Sequence, residues 1–265
     1  IRTRNLPKED NFNGFKVYRM GYYTPLLNGK NFFIYLKFIF TMNLSILVNL
    51  FKKKPSLIHV SDFELFFSSK LYSIVHGAKI IYNIHDNFSQ RYNLPKFLKK
   101  ILNVFEGINV ISSDITLVPE EFRKNSLPRW CHYKVSVVKN SPEDPQFDFK
   151  NNTSEKIKIF FGGWIDEGRG IEKLIKLSEN ETFQITIAGE GDRKLIKKIK
   201  SSDSIKYLGF IQHKQVIDIT RESDYIWALY DPKREINRYA ASNKIAEALG
   251  VGRPIIINKE LEIFK

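Results

Sequence analysis

Between residues 157 and 257, short apolar runs alternate with amphipathic stretches, and three of the runs stop at glycine. Residues 157–161, 184–188, 206–208 and 225–230 read as buried strands, while 171–178, 192–199 and 214–221 carry helical spacing. Near-continuous apolar strands separated by helices imply parallel βαβ units, because a parallel sheet is covered on both faces. The first half repeats the alternation, with strands expected at 57–60, 79–84, 115–118 and 134–138 and helices over 32–53, 64–76 and 94–105. A short strand is expected at 16–19, after a charged, loop-like opening over 2–13. Residues 141–155, rich in Pro, Asp, Asn and Ser, read as a linker. The expectation is an α/β chain with two doubly wound Rossmann-like domains facing across a cleft, 1–140 and 156–265. The first is expected to be incomplete, because the chain opens on a loop and not on a strand.

Charge narrows the partners. The chain has 265 residues, 42 basic against 29 acidic, for a net +13. That balance favours anionic partners: nucleic acid, acidic lipid headgroups or phosphorylated substrates. No helix-turn-helix, zinc-finger or RNA-recognition signature is present, so no nucleic-acid partner is expected. The single cysteine, Cys131, excludes an internal disulfide and a Cys-based metal cluster. It lies in a loop-like run and is not expected to be a nucleophile. Residues 32–51 are apolar over the length of a membrane span, but Lys37, Asn43, Ser45 and Asn49 interrupt them. A buried or interfacial helix is expected there, and beside Lys52-Lys53-Lys54 it is suited to an anionic membrane surface. The chain begins at Ile1 without a signal peptide and stops after Phe264-Lys265; both ends read as cut, as in a fragment of a longer protein.

Four stretches carry candidate chemistry. The run Gly162-Gly163-Trp164-Ile165-Asp166-Glu167-Gly168-Arg169-Gly170 follows a strand and opens a helix. Its glycines permit close approach of backbone to a phosphate, and Arg169 can neutralise one. Ala188-Gly189-Glu190-Gly191 follows the next strand but lacks the third glycine of a dinucleotide fingerprint, which disfavours a dehydrogenase. Leu208-Gly209-Phe210 is a third strand-end glycine turn. Ser242 is expected to cap a helix with Lys244 in its first turn and Glu247 one turn on, a ready anion site with a carboxylate placed for ribose hydroxyls. Taken singly, each is equally an ordinary βα turn with solvated charges; their order and spacing are more specific.

That order resembles the C-terminal half of the GT-B glycosyltransferases, most closely glycosyltransferase family 4, through Gly163 to Gly170, Ile187 to Gly191, Leu208 to Phe210 and Glu247 to Pro254. Residues 54–59, 84–86 and 137–140 extend the likeness into the first half. The resemblance implies that Glu247 binds ribose and that Gly162, Gly163 and Arg169 hold a diphosphate, with the backbone at Ser242 and Asn243. Gly189, Glu190 and Phe210 would line the base, and His85 would stand near the sugar and the acceptor. Tyr239 stands where the family carries a Glu, and Trp164 where it carries an Arg; Lys244 is the candidate replacement for the lost phosphate charge. Catalytic roles are expected for His85, Arg169 and Lys244. The family's N-terminal Gly-rich loop and its C-terminal returning helix are missing.

No Asp-x-Asp motif is present, so neither a divalent metal nor any other cofactor is expected. The resemblance implies a retaining hexosyltransferase that uses a nucleotide-sugar donor and a glycan or lipid-linked acceptor. Such an enzyme would work in cell-envelope polysaccharide or glycolipid synthesis, in the cytoplasm at the inner face of the membrane. A nucleotide-binding module without transfer activity and a basic nucleic-acid binder are the alternatives.

Overall fold

Among the described residues, nine short parallel strands form two sheets with helices between the strands, beside one antiparallel hairpin. The computed structural model describes residues 7–12, 14–19, 32–91, 94–141 and 155–264. The chain divides into two units, Ile1–Val138 and Lys139–Lys265. Nearly all of the expected linker, residues 142–154, lies outside the described residues.

The N-terminal unit opens with an antiparallel hairpin, β1 (Glu9–Phe12) and β2 (Phe15–Tyr18). The first of these strands falls within 2–13, where a loop is expected. Glu-Asp-Asn-Phe is exposed along its whole length and so shows no alternation; Gly14, at φ 84°, makes the turn. Then follow α1 (Phe32–Lys53), β3 (Leu57–Ser61), α2 (Phe63–His76), β4 (Lys79–Asn83), α3 (Phe88–Arg91), α4 (Lys96–Ser112), β5 (Ile115–Val118) and β6 (Val135–Val137). The four-stranded parallel sheet runs β3-β4-β5-β6, in simple chain order. One face is packed: Ile58, Val60, Ile80 and Tyr82 join Phe66 and Tyr72 of α2 and Val110 of α4 in a single core. On the other face Leu57 and Ile115 are exposed. Asn43 of α1 donates from Nδ2 to the Glu64 carbonyl at 2.8 Å, tying α1 to α2. No helix among the described residues is long and apolar enough to cross a membrane.

Helix α4 was expected to end near Phe105 and instead runs to Ser112. It continues because its two awkward residues are accommodated. A Cβ on Gly107 would lie 2.5 Å from the Trp130 ring, so only glycine fits. The buried Glu106 carboxyl accepts a hydrogen bond from the Tyr82 hydroxyl and another, at 3.4 Å, from the Phe88 N–H. Burial pushes that carboxyl up to about 7. Cys131 is buried in a 3-10 turn, Arg129–Lys134, and burial pushes its thiol up to about 11. An inert thiol is what such a site provides.

The C-terminal unit contains β7 (Ile157–Gly162), α5 (Ile171–Leu177), β8 (Phe183–Ala188), α6 (Arg193–Lys200), β9 (Ile205–Tyr207), α7 (His213–Glu222), β10 (Tyr225–Trp227), α8 (Glu235–Arg238), α9 (Asn243–Gly250) and β11 (Ile255–Ile256). Its five parallel strands are ordered β11-β10-β7-β8-β9. Successive residues of β7 serve opposite faces. Ile159 and Phe161 pack with Ile171, Leu174 and Ile199 of α5 and α6, whereas Phe160 packs with Ala248 of α9 and Val216 of α7. The chain moves outward from β7 through β8 to β9, then returns to the other side of β7 as β10. The order reverses between β7 and β10, and a reversal of this kind is where doubly wound sheets take ligands, in the crevice at the carboxyl ends of the strands.

Candidate functional site

The loops that leave β7 and β10 flank this reversal and are bonded to each other. The Asp231 N–H donates to the Gly168 carbonyl at 2.7 Å, and Trp227 Nε1 to the Arg169 carbonyl at 3.0 Å. Arg234 Nη1 lies 3.4 Å from Asp166 Oδ1. These bonds fix Arg169 so that its guanidinium carbon stands 4.1 Å from the centre of the Tyr230 ring. Its Nη1 is buried and has no hydrogen-bond partner among the described residues, and its Nε is 3.8 Å from Asp166 Oδ2. Lys244, in the first turn of α9, brings its Nζ to 5.6 Å from the same ring and 5.1 Å from that of Phe161. Lys244 forms no ion pair among the described residues. A Cβ on Gly163 would lie 2.9 Å from Lys244 Nζ, so the glycine leaves room for the ammonium. Gly163, Arg169, Tyr230 and Lys244 thus converge, and two cations share one ring while Asp166 lies on the Arg169 side. Such a place attracts a polyanion.

The other glycines divide differently. At Gly189 and Gly191, with φ 135° and 157°, an added Cβ would lie 1.8 and 2.0 Å from the carbonyl oxygens of Gly163 and Ile165. Their bareness lets the β8 turn pack against the β7 loop, which is further joined by Gly163 N–H to Ala188 O and Ile165 N–H to Glu190 O. A Cβ on Gly162 would meet Phe160 and Val216, on the α7 side. Of the two glycines expected at the diphosphate, Gly163 adjoins a cation and Gly162 adjoins Phe160 and Val216, while Gly189, expected at the base, packs on the β7 loop.

Ser242 occupies the N-cap position of α9 but makes no side-chain cap. Its Oγ instead accepts from the Tyr230 hydroxyl, which corrects the expected capping role. Asn243 Oδ1 accepts from Asn140 Nδ2 at 3.0 Å. Glu247, largely buried, is already engaged: His213 Nε2, at the start of α7, lies 3.0 Å from its Oε1. Glu190 and Phe210 stand at the ends of β8 and β9, both exposed. Tyr239 follows α8, and its hydroxyl has no partner among the described residues. Sequence reasoning missed Tyr230 and His213. Tyr230 closed an apolar run and His213 sat among solvated helix residues, so neither carried a signal until strand order set them beside Arg169 and Glu247.

In the N-terminal unit, His85 follows β4 and is exposed; its backbone N–H donates to Asp62 Oδ1 at 3.3 Å. Asp62 holds a positive φ of 67° and pairs with Arg91 at 2.8 Å, and Asp86 pairs with the buried Arg123 at 2.9 Å. The strand ends around His85 are thus pinned by ion pairs.

No protein-family model matches the sequence, and no curated protein sequence is significantly similar to it. Solved structures do match. Sucrose-phosphate synthase from Thermosynechococcus elongatus superposes with a TM-score of 0.72 at 14% identity, covering 97% of this chain and 69% of that one. HepE from Anabaena, solved in complex with UDP-glucose, gives 0.57 at 12% identity, over 82% of this chain and 63% of its own. A glycosyltransferase from Rickettsia africae gives 0.53 at 19% identity, over 89% and 65%. The chain spans about two thirds of the length of each. The likenesses establish the fold, the Rossmann-like α/β units of the GT-B class.

Proposed function

We propose that this chain binds a nucleotide-sugar at the β7/β10 crevice and belongs to a glycosyltransferase. The observation that carries the reading is the pair Arg169 and Lys244 against Tyr230, with a buried guanidinium nitrogen left without a partner. Breaking the bond from sugar to nucleotide puts charge on the departing diphosphate. Fixed cations stabilise that charge most where they need not reorganise, and the loop bonds hold Arg169 in advance. The first-turn N–H groups of α9, at Asn243 and Lys244, add a positive dipole end on the same side. Glu247 supplies carboxylate oxygen for the ribose hydroxyls while His213 holds its Oε1. Glu190 and Phe210 lie along the base side.

Arg169 and Lys244 carry the charge that a divalent metal supplies elsewhere, so the proposed reaction needs none. The reading assigns His85 to the acceptor half of the reaction. It makes the enzyme a retaining hexosyltransferase with a glycan or lipid-linked acceptor of the cell envelope. The GT-B fold and the UDP-glucose bound to Anabaena HepE support a nucleotide-sugar donor.

Calorimetric titration with UDP, GDP and ADP tests the donor site. One nucleotide binds, and Arg169→Ala together with Lys244→Ala abolishes the binding; equal binding by the variant overturns the site. A second reading, nucleotide binding without transfer, draws on the engagement of Glu247 by His213. It predicts nucleotide binding with no release of sugar or growth of acceptor from any UDP-, GDP- or ADP-sugar.

A further inference from the structure

Helix α4 is amphipathic the wrong way round for a helix that covers a sheet. Glu106, Gly107 and Val110 face the core, while Phe97, Ile101, Val104, Ile108 and Ile111, spaced as one helical stripe, are exposed. With Leu98 and Phe105 they span an arc of roughly 140° at 100° per residue. Helix α2, tied to the end of α4 by Lys70 Nζ donating to the Ser112 carbonyl at 2.7 Å, does the same with Phe67, Leu71, Ile74 and Val75. Helix α1, packed on α2, exposes Phe40, Leu44, Val48 and Phe51. The outer face of this helix layer is therefore apolar across three neighbouring helices. Between α1 and α2 it opens into a cavity of about 470 Å³, lined by apolar side chains that include Leu44, Leu47, Phe63 and Phe67. Contiguous exposed apolar surface on this scale marks an interaction site.

The charges on the layer select the occupant. Helix α1 carries Lys37, Lys52 and Lys53, and α4 carries Lys96 and Lys100, while Lys70 of α2 is turned to the Ser112 carbonyl. Against them stand two acidic residues. Glu106 is buried, and Glu64 is paired with Arg91 at 3.2 Å. The turn Arg129–Lys134, which packs on α4 at Gly107, beside the stripe, carries Arg129 and the exposed rings of Trp130 and Tyr133. A second copy on this face would set lysine against lysine, which like-charge repulsion opposes. A bilayer with anionic headgroups meets every feature: acyl chains take the apolar stripe, phosphates the lysines, and the headgroup boundary the Trp and Tyr rings.

We infer that the outer face of α1, α2 and α4 docks on an anionic lipid bilayer. The sequence points to the helix over 32–51, the adjoining Lys52-Lys53-Lys54 and the net basic charge; the apolar faces of α2 and α4 are what the structure adds. The inference does not rest on the donor-site reading.

Flotation with vesicles of phosphatidylglycerol and phosphatidylcholine, beside vesicles of pure phosphatidylcholine, is the test. In a Trp164→Phe/Trp227→Phe background, Trp130 emission reports on the face itself. Binding is expected on the anionic vesicles only, weakened by salt and accompanied by a blue shift of Trp130. Lys96→Glu/Lys100→Glu is expected to reduce binding by about tenfold or more. Phe97→Ser/Ile101→Ser/Phe105→Ser replaces exposed residues only, so its fold, checked by circular dichroism, is retained while its binding is lost. Absence of binding to anionic vesicles overturns the inference. So does binding to both vesicle types that neither variant alters, or a stable dimer in solution that the triple variant dissolves.

Discussion

The two units follow one βα grammar and differ in strand order. In the C-terminal unit the chain starts at the central strand β7, builds one side, and returns to the other, so helices cover both faces and the order reverses beside β7. In the N-terminal unit, among the described residues, β3 to β6 follow in sequence and one packed core lies on one face. The consequence is a division of labour. Cations, bare glycines and a buried unpartnered nitrogen gather at the reversal. Among the described residues of the N-terminal unit no such pair of bonded loops with converging cations occurs, and its distinguishing surface is the outside of its helix layer. A reversal of strand order concentrates loop residues where no covering helix competes for them; a simple order spreads them along one edge.

The strongest way to break the comparison is to fill the glycine that lets the β8 turn pack on the β7 loop. Gly189→Ala forces a Cβ to within 1.8 Å of the Gly163 carbonyl in a backbone region that side chains rarely adopt. The expected loss is about 3–5 kcal/mol. Hydrogen exchange should show β7 and β8 deprotected with β3 to β5 unchanged, and equal deprotection of both sheets would mean that the units do not differ as described. Next in size, Arg169→Ala and Lys244→Ala should each lower kcat/KM for sugar transfer by about 10²–10³-fold, as removal of a fixed charge-stabilising donor does. Turnover like the parent's from either variant would place the diphosphate elsewhere.

Much of this architecture was legible in the sequence. The run 32–53 became α1 at the expected bounds, and every apolar run named in the C-terminal half became a strand. Periodicity reports which side of an element is buried, and parallel sheets give it strongly. What remained hidden depends on contacts between distant residues. The polar strand β1 is defined only by its hairpin partner. Helix α4 passes through Glu106 and Gly107 because Tyr82 and Trp130 receive them. Gly189 and Gly191 were legible as special, but a sequence cannot distinguish a glycine that admits a ligand from one that admits a neighbouring carbonyl. Arg169 and Lys244 were found as charges; the Tyr230 ring that unites them was not.

The buried carboxyl of the N-terminal unit gives a handle with no counterpart in the other sheet. Glu106 titrates near 7 in the fold, against 4.5 for an ordinary glutamate, because burial disfavours its charge. A raised carboxyl favours the folded state fully below the unfolded value and loses that contribution as pH climbs. Stability from this group should thus fall between pH 4.5 and about 7, by an amount on the order of 3 kcal/mol, and level off above. Urea titrations across that range should show the fall in the parent and a flatter profile in Glu106→Gln. A parent profile without the fall would remove the buried ionisation.

The smallest expected effect sharpens the C-terminal side. Glu247 and His213 come from α9 and α7, which pack on the same face of the sheet, and their 3.0 Å contact fixes one carboxylate oxygen while leaving the other available. If His213 orients the carboxylate without touching the nucleotide, His213→Ala should weaken nucleotide binding by only a few fold, because the side chain must be ordered again on each binding event. Glu247→Ala, which removes the acceptor itself, should weaken it by about tenfold or more. The double variant should be no worse than Glu247→Ala alone, since His213 acts through that carboxylate. Calorimetry on the three variants separates the cases: additive losses would mean that His213 contacts the nucleotide directly, and the ribose side of the site would then extend from α9 to the start of α7.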